Sequence, residues 1–381
     1  MLLVILLLSA CLFPSTASDT GPAPCADVPE DRRHDDLVRR WATQDDAAPP
    51  PKGQIVVVGS SSIRRWESAA RTFAPWGMVQ RGFGGSVLSE VIGYLDTLVL
   101  RHEPSAVVVF SGTNDVAEGD DVNTVVTAWR CLVERLDEAK ALPLVWIPIT
   151  PTPARWRAWS VADAVNTQVA RDAEGIPDLF IADPVPQFLA TGQPPQDALF
   201  AEDGLHLSEA GYALWDRVVG DTVRALGLSE RSAPAGPPSD TTITLDLTTW
   251  PTSSRTVVAG EALRSLPDSD GLPSRVDFVV SGGFLRTPEG LATTDGNVPG
   301  AFVLTGLSPS ASHTLRLHGG PHTTAVLYGA SKEPPLTGKT MVFDEIKPNR
   351  FGEFHVDIRR SHEGLGQLSR VELVVNEGAT P

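Results

Sequence analysis

The stretch QIVVVGSSSI, residues 54–63, decides the fold of this chain. Its unbroken β-branched run predicts a strand that is buried on both faces, because a strand with one wet face would alternate apolar and polar residues. Similar runs follow at 105–112 (SAVVVFSG), 142–150 (LPLVWIPIT) and 176–184 (IPDLFIADP), separated by helical spacing at 87–101 and 122–141. Such alternation predicts an α/β domain with a parallel sheet covered by helices on both faces.

Polar residues stand where these strands end. GSSS ends the first strand, and Asn114 lies in SGTNDV after the third. Asp203 and His206 lie in AEDGLHLSEAGY, which leads into the last helical stretch at 208–226, and the glycine-rich QRGFGGS at 80–86 lies near the second strand. In open parallel sheets, ligands bind beyond the carboxyl ends of the strands. We therefore expect these residues to form a site at that edge.

The residue types at this edge suit acyl transfer. A serine hydroxyl is a weak nucleophile until a base accepts its proton, and a carboxylate improves the base by fixing its tautomer. Asp203 and His206 stand three residues apart and can place a carboxylate beside an imidazole. The amide of Asn114 and a backbone N–H in a glycine-rich turn can stabilise the oxyanion that develops.

Four blocks in this order, GSSSI, GFGGS, GTND and DGLH, resemble the motifs of the SGNH or GDSL hydrolase family. The resemblance covers roughly residues 52–228. It implies a flavodoxin-like, three-layer α/β/α domain that acts as a serine ester hydrolase and requires no cofactor.

The resemblance also implies roles for individual residues. Ser61 matches the nucleophile, and Asp203 and His206 match the carboxylate and the base of the catalytic triad. The oxyanion hole would be formed by the Ser61 N–H, the Gly85 N–H and the side chain of Asn114.

The three serines also permit a purely structural interpretation. Ser60, Ser61 and Ser62 could all serve to cap the helix that starts near Ile63, because serine is a preferred N-cap residue. We expect Ser61 to be the nucleophile and Ser60 or Ser62 to cap. Ser60 stands where the family's usual GDS carries aspartate, so GSSSI resembles a variant branch. Asp115 is expected to hold the third block in place.

A substrate cleft is expected around this site. Arg64 and Trp66 follow the serines, and Arg155 and Trp156 lie in TPARW after the fourth strand. Guanidinium groups and aromatic faces suit sugars or acyl chains, although tryptophan is often simply packed. These four residues are the candidates for the cleft.

A second domain follows the last helix. SERSAPAGPPSD has the composition of a linker, which we place at 229–240, after a hydrolase domain at 51–228. From residue 241, eight short runs with period-two alternation are separated by Gly, Pro, Ser and Asn. They predict an antiparallel β-sandwich over 241–381, either a carbohydrate-binding module or a spacer.

The amino terminus is typical of an exported protein. Residues 1–20 begin with MLLVILLLSACLFPS, an apolar run too short to span a bilayer. LSAC resembles a lipobox, which would make Cys11 the lipidated residue of a bacterial lipoprotein; a cleaved secretory signal and a buried segment are the alternatives. Residues 21–50 are expected to form an acidic, Pro/Ala-rich tether. Cys25 and Cys131 could pair in an oxidising compartment.

Composition limits the partners. The net charge of −16 argues against nucleic acid and anionic membranes, since either requires a dense cationic face. A membrane is therefore expected only through the lipid anchor. No metal is expected either, because His318 and His322 in HGGPH have no evident third ligand.

Together these features predict an exported serine esterase that cleaves small acyl esters, with acetylated glycans among the candidate substrates. The alternatives are a non-catalytic, glycan-binding envelope lipoprotein and, among enzymes, a short-chain lipid esterase or thioesterase.

Overall fold

The computed structural model describes most of the chain. The described residues are Cys25 and the ranges 33–140, 142–251, 254–294, 299–329, 333–360 and 365–376. The signal segment predicted at 1–20, with Cys11, lies outside them. Within these ranges, no helix has both the length and the apolar character needed to cross a membrane.

Five parallel strands form the sheet that the apolar runs predict. They are β1 Ile55–Gly59, β2 Met78–Gly82, β3 Ala106–Phe110, β4 Leu144–Trp146 and β5 Leu179–Ile181. Their order across the sheet, β2-β1-β3-β4-β5, is the flavodoxin-like order. β1 and β3 are buried along their whole length, which explains why their sequences are apolar without interruption.

Helices cover both faces of this sheet. The α-helices are α1 Asp35–Ala47, α2 Ser61–Arg64, α3 Ala69–Thr72, α4 Leu88–Gly93, α5 Leu95–Leu98, α6 Thr113–Glu118, α7 Val122–Lys140, α8 Trp159–Ala173, α9 Val185–Leu189 and α10 Glu209–Ala225. Short 3-10 helices lie at Leu100–His102, Pro153–Ala158, Asp197–Leu199 and Leu247–Thr249. Val56 and Val58 of β1 share one core with Trp129 of α7, and Val57 shares the other with Trp215 of α10. The three-layer α/β/α architecture is confirmed.

The helical stretch predicted at 87–101 is broken into α4, α5 and a 3-10 turn. The break falls at Tyr94, whose backbone leaves the helical region with φ −105° and ψ 8°. Gly93 precedes it, and glycine is a poor helix former because it loses the most backbone freedom on ordering. The Tyr94 hydroxyl donates a hydrogen bond to Asp35 at 2.9 Å, so the break connects this layer to α1.

The segment at 21–50 differs from the expected tether. It contains α1, whose Trp41 is only 1% exposed and packs into the core on one face of the sheet. Upstream of this helix, Cys25 forms a disulfide with Cys131 of α7. This part of the segment therefore belongs to the folded α/β unit, since an apolar ring and a covalent bond both attach it there.

The second half of the chain is a β-sandwich, as predicted. Its strands are β6 Thr242–Asp246, β7 Thr256–Val257, β8 Ala262–Leu263, β9 Asp277–Gly282, β10 Phe284–Thr287, β11 Gly290–Thr293, β12 Gly300–Thr305, β13 His313–Gly319, β14 Thr323–Tyr328, β15 Leu336–Thr337, β16 Thr340–Ile346, β17 Glu353–Arg360 and β18 Gln367–Val375. One sheet has the order β16-β13-β18-β11-β10-β7, with β6 also paired to β18; the other has the order β15-β14-β17-β12-β9-β8. All eight predicted runs are strands, and the additional strands are two to four residues long, too short for alternation to be read.

The sandwich packs directly on the α/β unit. At Gly260, where φ is +88°, an added Cβ would lie 2.0 Å from the carbonyl oxygen of Gln80. The linker region at 229–240 is also docked, because Arg231 Nε donates to the Ala74 carbonyl at 2.8 Å. The composition that predicts a linker therefore marks a segment that is attached to the α/β unit.

A buried ion pair connects α1, the sheet and the sandwich. Arg81 of β2 is 1% exposed and donates to both carboxylate oxygens of Asp45 in α1, at 2.7 and 2.9 Å. The same guanidinium donates to the Gly260 carbonyl at 3.2 Å. Burial lowers the pKa of Arg81, and the charge of Asp45 opposes that shift. The charge of Arg81 is thus tolerated because Asp45 neutralises it.

We expect Asp45→Asn to lower the free energy of unfolding by about 3–5 kcal/mol, since Arg81 would keep a buried charge without its counter-ion. The matched control is Asp46→Asn, which removes an exposed ion pair with Arg101 and should cost at most about 1 kcal/mol. Urea unfolding followed by tryptophan fluorescence measures both changes. Equal effects of the two substitutions would contradict the importance of the buried pair.

Candidate active site

Two glycines let the ends of β1, β2 and β3 come close together. At Gly59, where φ is +142°, an added Cβ would lie 2.0 Å from the carbonyl oxygen of Phe110. At Gly82 it would lie 2.1 Å from the backbone nitrogen of Arg64. Neither position has room for a side chain. These contacts fix the start of α2, where Ser61 is the first helical residue.

Ser61, His206 and Asp203 form one hydrogen-bonded chain at this edge. Nε2 of His206 lies 2.8 Å from the hydroxyl oxygen of Ser61, and its Nδ1 lies 2.6 Å from Oδ2 of Asp203. The other carboxylate oxygen of Asp203 accepts from the backbone N–H groups of Leu205 and His206, both at 2.9 Å. The loop therefore orients the carboxylate, the carboxylate orients the imidazole, and the imidazole faces the serine.

The surroundings set the charge of each group. Burial lowers the pKa of His206, and the positive charge of Arg65 acts in the same direction, whereas the hydrogen bond with Asp203 opposes it. Desolvation raises the pKa of Asp203, but the hydrogen bonds from His206 and from the backbone N–H of Leu205 outweigh it and leave that pKa at about 2. At neutral pH, Asp203 is therefore ionised and His206 is neutral, ready to accept a proton.

Asn114 and Asp115 hold the third block against the second. Asn114 Nδ2 donates to the Ser86 carbonyl at 2.7 Å, and its Oδ1 accepts from Arg155 at 2.9 Å. Because Oδ1 accepts from Arg155, the orientation of the Asn114 amide is set. The Ser86 carbonyl accepts from one of the two N–H groups of this amide. Asp115 accepts from the backbone N–H of Leu88 at 2.9 Å, the structural role expected for it. Burial raises the pKa of Asp115 to about 6.

Gly85 lies in an open part of the second block. It is exposed, has φ +76°, and no atom of the described residues lies within 4 Å of where a Cβ would be. The left-handed backbone conformation alone therefore accounts for glycine here. The neighbouring Gly84 is different, because a Cβ there would lie 2.9 Å from the guanidinium of Arg64. The guanidinium of Arg64 thus packs against the glycine-rich turn of the second block.

The serines beside Ser61 do not cap as expected. Ser60 occupies the N-cap position of α2, but its side chain makes no capping hydrogen bond. Its hydroxyl is fully buried and has no hydrogen-bond partner in the described part of the chain. The turn is held elsewhere, because the Tyr212 hydroxyl of α10 donates to the Ser62 carbonyl at 2.7 Å. No local pattern in the sequence signals that long-range contact.

One of the four predicted cleft residues is a core residue. Trp66 is fully buried, its Nε1 donates to Asp216 at 2.7 Å, and its ring packs edge-on against Trp215 at 5.3 Å. The prediction that Trp66 lines a cleft is therefore wrong. Trp156 is partly exposed and stacks on Trp159 at a ring separation of 6.1 Å.

A cavity with room for about one water molecule lies beside Ser61. Phe110, Thr113, Arg155 and Leu207 are among the residues that line it. Arg155 thus faces the site, and it also holds the amide of Asn114, a role that the motif does not reveal. Across the described ranges, no three His, Cys, Asp or Glu side chains come together as a metal site would require.

Comparison with known proteins gives a family match and several similar solved structures. Residues 55–214 match the model of the GDSL-like lipase/acylhydrolase family. No curated protein matches the sequence. About half of the chain is similar to a GDSL-like lipase from Bacteroides thetaiotaomicron, at 19% identity and a TM-score of 0.43, covering 50% of this chain and 98% of that one.

Two further solved structures are each similar to just under half of the chain. A lipase/acylhydrolase from Enterococcus faecalis shares 17% identity at a TM-score of 0.38, covering 47% of this chain and 100% of that one. A carbohydrate esterase family 3 protein from Talaromyces cellulolyticus shares 18% identity at a TM-score of 0.39, covering 46% of this chain and 97% of that one.

Residues 55–214 form a GDSL-like lipase/acylhydrolase domain. The chain is an SGNH-type ester hydrolase that carries an additional β-sandwich.

Proposed function

We propose that the chain is a serine esterase in which Ser61 is the nucleophile, His206 the base and Asp203 the residue that orients the base. One observation carries the proposal: the hydroxyl of Ser61 faces Nε2 of His206 at 2.8 Å while Nδ1 faces Asp203 at 2.6 Å. A serine that only capped a helix would not require a neutral imidazole and an ionised carboxylate in line with it. This arrangement also argues against a purely glycan-binding role.

The reaction follows from this geometry. His206 accepts the Ser61 proton as the serine oxygen attacks the ester carbonyl, and the tetrahedral intermediate carries an oxyanion. The N–H of Ser61 lies in the first turn of α2, where helical N–H groups have no intrahelical acceptor, and can donate to the oxyanion. The Gly85 N–H and the Asn114 amide are the other donors. His206 then protonates the leaving alcohol, and water activated by the same base hydrolyses the acyl enzyme.

The cavity beside Ser61 supports a short acyl group. Its volume suits about one water molecule, which favours acetyl over a long fatty acyl chain. We therefore propose small acyl esters as substrates, with acetylated glycans ahead of lipid esters and thioesters. A hydrolysis panel of p-nitrophenyl esters of increasing chain length, together with acetylated sugars, measures this preference; faster cleavage of long chains would contradict it.

Export is a separate part of the proposal. The Cys25–Cys131 disulfide supports it, because disulfides persist mainly in oxidising compartments. The apolar start of the sequence and the LSAC motif support a lipid anchor at Cys11.

The nucleophile is tested by substitution. Ser61→Ala should reduce turnover of p-nitrophenyl acetate by roughly 10⁴-fold or more, because removal of a triad member leaves only the oxyanion hole and binding. Ser62→Ala is the matched control and should keep most of the activity. A fluorophosphonate probe should label the wild type and the control and leave Ser61→Ala unlabelled. Labelling of Ser61→Ala would place the reactive serine elsewhere.

The pH profile separates the base from the oxyanion donor. Since burial lowers the pKa of His206, activity should fall on acidification with a midpoint below 6.5, the usual histidine value. Asn114→Ala should lower turnover by roughly 10²- to 10³-fold and keep this acid limb, because an amide does not titrate there. His206→Ala should lose more activity and the limb itself. Persistence of the limb in His206→Ala would identify another group as the base.

The anchor is tested by fractionation of cells that express the full chain. Wild-type protein should enter the detergent phase, because one or more acyl chains would partition into membrane. Cys11→Ser should leave the protein in the aqueous phase, whereas Ser9→Ala, two residues away, should not. Recovery of the wild type in the aqueous phase would argue against lipidation.

A further inference from the structure

A groove of about 490 Å³ lies between the α/β unit and the sandwich. One wall is formed by Arg65 at the end of α2, by Arg71 of α3 and by residues of the loop that carries His206. The opposite wall is β17 of the sandwich, through Asp357, Arg359 and Arg360. This volume lies within the range of ligand sites, which measure roughly 300–1,000 Å³.

The groove adjoins the candidate active site. Leu207, the residue after His206, lines both the groove and the cavity beside Ser61. The backbone N–H of Arg65 donates to the Ser61 carbonyl at 2.9 Å, so this arginine belongs to the same turn as the nucleophile. The positive charge of Arg65 also acts on the imidazole. A substrate with its ester at Ser61 could therefore extend directly into the groove.

The interface that forms the groove is held by ion pairs. Asp357 faces Arg71 and Arg359, both at 3.3 Å, and Arg359 faces Glu209 of α10 at 3.3 Å. Glu67 is buried against the sandwich, where a Cβ at Gly282 would lie 2.6 Å from its Cγ. The contacts of Arg71 with Asp357, of Arg359 with Glu209 and of Glu67 with Gly282 cross between the two units, so the walls of the groove are fixed before a ligand arrives.

Several carboxyl groups that line the groove are already engaged by other groups or are uncharged. Asp216 accepts from Trp66 and also from the hydroxyls of Ser68 and Thr72, at 2.7 to 2.8 Å. Burial raises the pKa of Glu67 to about 8, which leaves it uncharged at neutral pH. Glu202 is engaged in a contact of its own.

Arg65 and Arg360 are the cations left over. Neither has an ion pair with any described residue, in contrast to Arg71 and Arg359. Nη1 of Arg65 is shielded from solvent and has no hydrogen-bond partner in the described ranges, and the same holds for Nε of Arg359. Buried donors of this kind normally have an acceptor, and an anionic group bound in the groove would supply one.

We propose that the groove binds a carboxylate carried by the alcohol part of the ester, with Arg65 and Arg360 as its partners. A guanidinium presents a planar fork of N–H donors that matches a carboxylate in a bidentate manner. The substrates would then be acyl esters of acidic alcohols such as uronic acids, and the sandwich would complete the substrate site. This inference rests on the proposed function, because it extends the binding site of the same serine.

The net charge of −16 does not oppose a local site of this kind. Charges in water are screened over about 8 Å at physiological ionic strength, so distant surface carboxylates contribute little. The groups that line the groove therefore determine what it binds, and two guanidinium groups without an ion pair to any described residue favour an anion.

The test compares acetate release from two polymers that differ only in charge: O-acetylated polygalacturonate and the same polymer with its carboxylates methyl-esterified. Wild-type enzyme should prefer the acidic polymer, because it alone offers carboxylates. Arg360→Gln should reduce the ratio of the two kcat/KM values roughly tenfold, the effect of one charge-assisted contact at a partly exposed site. The control is Arg255→Gln, an exposed arginine of the sandwich outside the groove, which should leave the ratio unchanged.

The outcomes are distinct. O-acetylated galacturonic acid, used as a monomer, identifies the source of the carboxylate. If Arg360→Gln also lowers kcat/KM for the monomer about tenfold, the substrate is a small acidic molecule. If kcat/KM falls only for the polymer, the substrate is a glycan. An equal rate on both polymers, no acetate release from the acidic one, or the same ratio in Arg360→Gln as in Arg255→Gln would overturn the inference. Failure of the proposed function shows differently, as p-nitrophenyl acetate turnover that does not depend on Ser61.

Discussion

The close backbone contact at the carboxyl ends of β1, β2 and β3 is the constraint on which the site depends. Gly59 lies against the carbonyl of Phe110, and Gly82 lies against the first turn of α2. The chain must therefore turn sharply after β1, and the turn presents the hydroxyl of Ser61 at the edge of the sheet. Because three strands meet there, the imidazole from a loop 145 residues away can reach it. Backbone packing therefore sets the position of Ser61, and hydrogen bonds orient the carboxylate and the imidazole that face it.

Much of the fold and of the candidate site could be predicted from the sequence, because the patterns that indicate the sheet and the four blocks each lie within a short stretch of residues. The unbroken run at 54–63 predicts a central parallel strand, and DGLH places a carboxylate and an imidazole within one loop. The contacts that were missed are long-range. Trp66 is a core residue because Trp215 and Asp216 come from a helix about 150 residues later, and no local pattern shows that. Arg155 holds Asn114 for the same kind of reason.

The amino-terminal segment and the linker illustrate a second limit. Proline, alanine and acidic residues are typical of tethers, yet α1 buries Trp41, and Arg231 binds the backbone of the α/β unit. Composition reports the average character of a segment, whereas one tryptophan or one arginine can attach it. The same applies to charge: the chain is strongly acidic, but Arg65 and Arg360, beside the candidate site, have no ion pair with a described residue.

The glycines at the domain boundary limit how such an enzyme could diversify. A β-sandwich is commonly regarded as a cassette that recombination can exchange between catalytic partners. Here Gly260 admits the carbonyl of Gln80, and Gly282 admits the side chain of Glu67, each at a distance that any Cβ would obstruct. A foreign module would need glycine at both places, together with the strand that carries Arg360. The two halves are therefore expected to be inherited as one unit, and new substrate specificities are expected to arise by substitution at the interface between them.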